Sequence, residues 1–258
     1  MLFAEKEANI IESFQMLNST EILLLPETDA VESILSSIID IQKWKLWTDS
    51  SNKSAPPPDF YCDSMKLMME VMRVDDHGYK KKGKITNPTL VREHQIEKEL
   101  REKGILDMSP HATLFINAVT DLPTVEDHNY LYYRANFART VAEHTKKIPN
   151  YRKNHPGYQL IFFVFDESSM YFEVEEENKV IKQGEQFAGF PHKWLIDADF
   201  LSAFENSGVD YLIWFTPYKW VERMNPPLEL PKACVFDCKN MILDRQEYDP
   251  KHMMSAEE

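Results

Sequence analysis

Asp59 follows Pro58 in the stretch PPDFYCDSMKLMMEVMRV, and Glu70 stands in the apolar second half of the same stretch. A hairpin with one strand from Pro58 to Cys62 and the other from Lys66 to Val74 brings both carboxylates to one end of a sheet. Two hard oxygen ligands converging there suit Mg2+ or Mn2+. Such an ion polarises a phosphoryl oxygen and activates a water for phosphodiester cleavage. The competing structural account is an aspartate capping a turn after proline and an ordinary strand glutamate in a salt bridge.

These residues resemble the PD-(D/E)xK nuclease superfamily, whose motif is Pro-Asp in one strand and acid-x-Lys in the next. Pro58 and Asp59 match the first half, Glu70 and Val71 match the acid and its follower, and Met72 stands where the family carries lysine. The resemblance implies a restriction-endonuclease-like core over residues 28–74 and 125–165, with 75–124 as an insertion. It implies Mg2+ or Mn2+ at Asp59 and Glu70, joined by Glu32 on the preceding helix, where relatives often carry a further acid. In the family the lysine positions or deprotonates the attacking water, which methionine cannot do. Strand alternation turns Arg73 to the opposite face, and Lys66 lies roughly 13 Å away along the strand. The expectation is a nuclease-fold protein, degenerate or active, that acts on or binds DNA or RNA and cleaves weakly or not at all.

Basic residues gather at Arg139, Lys146, Lys147, Arg152 and Lys153, interleaved with tyrosines, and form a candidate phosphate-tracking face. The same pattern fits a solvated helix whose basic C-terminus complements its dipole. Asp75, Asp76 and His77 form a smaller candidate site directly after the motif strand, for which a charged loop exit is the ordinary account. GYKKKGKI nearly fits a phosphate loop, and LIFFVFDE ends in acids as a Walker B strand does. Ile85 replaces the required hydroxyl, however, and Pro88 would fall inside the helix that must start at the loop. Cys234 and Cys238 read as buried free thiols, and Met65, Met68, Met69 and Met72 as packing residues.

The elements that must position these groups follow from periodicity. Asp29 and Glu32 open a helix with Val31, Ile34, Leu35, Ile38 and Ile41 on one face, after an N-terminal segment that reads as a less clearly marked helix. Extended segments are expected at Lys43 to Thr48, Pro58 to Cys62 and Lys66 to Val74, and in HATLFINAVT. Helices are expected from Leu90 to Lys103, from Val125 to Lys147 with a stop at Ile148-Pro149, and near His192 to Asn206. LIFFVFDE and YLIWFTPY read as strands buried on both faces, MYFEVE as a half-exposed neighbour and ACVFDC as a last strand.

With 258 residues, 43% of them hydrophobic, the chain can bury a full core as one α/β or α+β domain, a mixed central sheet flanked by helices. Residues 246–258 read as a mobile acidic tail. Only 7 glycines are present, too few and too scattered for a glycine-rich dinucleotide cradle. The net charge of -13 repels polyanions at long range, so any nucleic-acid surface must be local. No apolar run long enough to span a membrane occurs, no secretory leader pattern opens the chain, and a cytoplasmic protein is expected. The alternative function is a non-catalytic binding or regulatory protein whose acidic surface engages a protein partner.

Overall fold

Leu160 to Phe165 is an unbroken apolar run, and a strand without polar alternates must be covered on both faces. The computed structural model, which describes residues 7–50, 57–77, 79–81, 84–86, 88–104, 128–177, 189–219, 230–240 and 244–256, places that run at the centre of an α/β fold. Its first half comprises α1 (Glu7–Gln15), β1 (Ile22–Leu25), α2 (Asp29–Ile39), α3 (Ile41–Trp44), β2 (Thr48–Asp49), β3 (Phe60–Cys62), β4 (Leu67–Val74), β5 (Tyr79–Lys81), β6 (Lys84–Thr86) and α4 (Pro88–Glu102). The second half comprises α5 (Tyr130–Thr145), α6 (Ile148–Asn154), β7 (Gln159–Asp166), β8 (Tyr171–Glu173), β9 (Phe190–Pro191), α7 (Ala198–Ser202), β10 (Tyr211–Phe215), β11 (Ala233–Asp237) and β12 (Met253–Ser255).

Seven strands make one mixed sheet in the order β1-β11-β10-β7-β4-β3-β2. The β4 and β7 strands run parallel with Glu70 opposite Phe162, and α5 and α6 supply the crossover between them. Strand alternation divides the core. One face carries Met68, Met72, Phe162, Val164 and Trp214 against Tyr133, Phe137 and Val141 of α5. The other carries Met69, Val71, Phe163, Phe165 and Phe215 against Phe14 of α1 and Ile34 and Ile38 of α2. Burying each such side chain contributes about 1.5–3 kcal/mol, so the two-sided covering of β7 anchors the whole arrangement.

Several sequence expectations need correction. The N-terminal segment is not helical throughout: Ile22–Leu25 pairs in parallel with β11. Thr28, not Asp29, caps α2, its hydroxyl accepting from Val31 N at 3.4 Å. The expected strand from Lys43 to Thr48 is mostly turn and α3, because Asp40 accepts hydrogen bonds from Gln42 N and Lys43 N and starts a helix. The Ile148-Pro149 step separates two helices, since proline in a first turn loses no intrahelical bond. MYFEVE lies outside the main sheet, in a three-stranded sheet ordered β12-β8-β9. The expected mobile tail is held there by Met253–Ser255 on β8 and by Ala256 N donating to Met170 O at 2.7 Å. The helix near 192–206 shortens to a 3-10 turn and α7, and HATLFINAVT lies outside the described residues.

Candidate functional site

The register of β3 on β4 pairs Phe60 with Met69. One residue earlier on β3 and one later on β4 therefore sets Asp59 opposite Glu70. Ser50 fixes the entry: its backbone N donates to Asp59 O at 2.7 Å and its hydroxyl to Pro58 O at 2.5 Å. Where the ladder stops, the Asp59 carboxylate takes over the role of a backbone acceptor, with Oδ2 accepting from Val71 N at 2.8 Å.

Glu70 is buried and shares its face with Met68 and Met72. Its Oε1 accepts from His144 Nδ1 at 2.7 Å and from Lys147 Nζ at 3.2 Å. Burial pushes the Glu70 carboxyl up, but the His144 and Tyr151 contacts and the Lys147 charge outweigh it and hold the group below its usual range. Burial, and then the negative charge of Glu70, raise Asp59 instead, to about 7. Burial and the same carboxylate push the Tyr151 hydroxyl well above its ordinary value.

A divalent ion, which the resembled family would hold here, fits these residues. Oε2 of Glu70 is buried and makes no hydrogen bond of ordinary geometry among the described residues, while the nearby Tyr151 hydroxyl helps to hold the carboxyl down. Two carboxyl groups are also held together at the cost of raising one of them, a conflict that a cation between them removes. Asp59 and Lys147 open the site to solvent, the latter with a side chain 43% exposed.

Glu32 does not belong to this set. It lies exposed on α2, which packs on the opposite face of the sheet from His144 and Lys147. Among the acids of the preceding helices it is Glu7 of α1 whose charge adds, as a smaller contribution, to the raising of Asp59. The sequence carries no periodic signal that would have singled out Glu7. His144 and Tyr151 were equally hidden, because their approach to Glu70 depends on how α5 and α6 cross β4.

The basic residues divide. Lys147 turns to Glu70, while Arg152 donates to Tyr158 O, Gly208 O and Asp210 and holds the start of β7 to the start of β10. Arg139 pairs with Glu143 one turn on, at 3.3 Å. Lys146 and Lys153 are exposed.

Met72 is 2% exposed and packs in the core. Within the phosphate-loop stretch Tyr79–Lys81 and Lys84–Thr86 pair as antiparallel strands, and α4 opens at Pro88 itself, where proline is tolerated, not before it. Asp166 is buried at the end of β7, accepting from Tyr133 at 2.5 Å, Trp214 Nε1 at 3.0 Å and Ser168 N at 3.0 Å, with Lys219 Nζ 3.5 Å away. It is fully buried and serves a polar network. Cys62 and Cys234 are buried free thiols, and Cys238 is partly buried. Among the described residues no helix is long and apolar enough to cross a membrane. No family model matches the sequence, and neither a curated protein nor a solved structure matches it.

Proposed function

We propose that the Asp59–Glu70 site binds a divalent cation and hydrolyses nucleic-acid phosphodiesters. The observation that carries this reading is the carboxylate pair of buried Glu70 and half-buried Asp59, with an unsatisfied Glu70 oxygen and the Lys147 ammonium 3.2 Å from its other oxygen. The order of strands around it, β7-β4-β3-β2 with a helical crossover between β4 and β7, also supports the resemblance to PD-(D/E)xK nucleases.

Asp59 and Glu70 would hold the ion, and when bound it supplies polarisation of the phosphoryl oxygen and a more acidic water. His144 and Tyr151 orient Glu70 and are positioning residues. Lys147 brings a positive charge to the place left empty of lysine at Met72. From 3.2 Å it balances Glu70 in the resting site, and its exposed side chain can reach the charge that develops on a phosphate. Lys146 and Lys153 are placed to receive flanking phosphates despite the net charge of -13.

The test uses the full chain on single- and double-stranded DNA and RNA oligonucleotides with Mg2+ or Mn2+. Cleavage is expected with at least one substrate, falling by 10²-fold or more in Asp59→Asn, in proportion to the loss of an electrostatic element. Lys147→Met is expected to lose cleavage while keeping metal uptake. Absence of cleavage by the unmodified chain with every substrate and both metals would reject the reading. That outcome would favour a protein-binding role, for which the groove of about 610 Å³ lined by Glu173, Glu175, Glu176, Phe190 and His252 is the place to look.

A further inference from the structure

Past the end of β4 the chain leaves the main sheet through Asp75, Asp76 and His77 and returns at His128, which forms an antiparallel bridge with His77. The two imidazole rings lie 4.6 Å apart, tilted by 51°. His128 Nδ1 is 3.0 Å from Asp76 Oδ1. One ligand atom from each of Asp76, His77 and His128 can be chosen so that all three lie within 4.8 Å of one another. The carboxylate is fully buried and held from behind. Its Oδ2 accepts from Ser169 N at 3.0 Å, Ser169 Oγ at 2.6 Å and the Tyr171 hydroxyl at 2.7 Å, while Oδ1 faces His128.

We propose that Asp76, His77 and His128 bind a divalent transition ion of the zinc class, at a site separate from Asp59 and Glu70. Two nitrogens and one oxygen are a borderline donor set, which favours Zn2+ and its neighbours over Mg2+ or Ca2+, whose sites are built from oxygen. The ligand spacing is right for such an ion. With bonds of about 2.0–2.1 Å, ligands on a tetrahedron stand roughly 3.3 Å apart, close to the present Oδ1 to Nδ1 separation. Binding replaces the hydrogen bond between Asp76 and His128, and the half-buried His77 supplies the third ligand.

Ser169 and Tyr171 then act as outer donors that fix the carboxylate and set its basicity. Three protein ligands leave the remaining position to water. Six residues of extended chain separate Glu70 from Asp76, about 20 Å, so the two sites take ions independently. The ion also ties the two ends of an excursion of about fifty residues, between 77 and 128, so binding and local folding are linked.

The experiment is a Zn2+ titration of the full chain against a chromophoric chelator, repeated with Co2+ to read the visible absorption of the bound ion. One equivalent is expected in the unmodified chain and in Asp59→Asn/Glu70→Gln. In His77→Gln/His128→Gln the affinity should fall at least 100-fold, with loss of the Co2+ bands. The single variant His77→Gln, at a half-buried position, guards against misfolding of the double variant and should weaken binding at least tenfold with an unchanged circular dichroism spectrum. Ser169→Ala should weaken it by about tenfold through the carboxylate alone. No zinc uptake by the unmodified chain overturns the proposal. So does uptake that His77→Gln leaves unchanged, or uptake abolished by Asp59→Asn/Glu70→Gln, which would assign the ion to the first site.

Discussion

Asp59 feels burial, the charge of Glu70 and any bound cation at once, so pH and metal act on it together. Its folded-state value of about 7 stands above the ordinary 3.8, so its contribution to stability is present below about pH 4 and is lost as pH rises through 7. Asp59→Asn keeps an acceptor for Val71 N and removes the titration. It should stabilise the metal-free protein at pH 8 by on the order of 2 kcal/mol and leave it unchanged near pH 4, read from thermal melts at the two pH values. A variant that melts lower at pH 8 would show that the ionised carboxylate is already satisfied. Met72→Lys, by contrast, does not restore a motif. At 2% exposure in the core it buries an ammonium in place of a thioether, and denaturant melts should show a loss of several kcal/mol. The pairing of Asp59 with Glu70 was legible because a hairpin fixes who faces whom. In the sequence Lys147 shows only as a base of the basic stretch, Tyr151 as one of the tyrosines interleaved with it and His144 as an isolated histidine, and nothing singles out Glu7. Their roles arise from helix packing across the sheet, which no local spacing encodes.

Strands buried on both faces announce themselves, and β7, β10 and β11 were legible as apolar runs bounded by polar turns. Short elements were not. Ile22–Leu25 resembles a helical continuation until β11 offers it a parallel partner, and the β8 segment has a strand's alternation but pairs with the C-terminal strand instead of the main sheet. The charge of the last residues suggested fraying, yet Met254 is buried against Phe172 and Val174, Val174 N donates to His252 O at 2.9 Å, and Ser255 Oγ meets Ser169 Oγ at 2.9 Å. Truncation after Asp249 should therefore lower stability by about 2–4 kcal/mol through lost apolar burial and an unpaired β8 edge. Coincident melts of the truncated and full chains would contradict that role for β12.

At the scale of the molecule, an acidic protein of net charge -13 must bind a polyanion through a local field. Lys146 and Lys153 are exposed and near Lys147 and Tyr151 in the sequence, so Lys146→Glu/Lys153→Glu should weaken oligonucleotide binding and make the slope of log affinity against log salt shallower by about 2. An unchanged slope in anisotropy titrations would place the nucleic acid elsewhere. Every such argument depends on the carboxylate pair holding a hard cation, which calorimetric titration with Mg2+ at pH 7 tests most directly. Mg2+ is poorly suited to the histidine-bearing site, so its uptake reports on Asp59 and Glu70. Repeating the titration in two buffers of different ionisation enthalpy reads the protons released. Binding to the unmodified chain should be accompanied by release of roughly half a proton from Asp59, and both should vanish in Asp59→Asn. Absence of Mg2+ binding, or binding and proton release that persist unchanged in Asp59→Asn, would contradict the account.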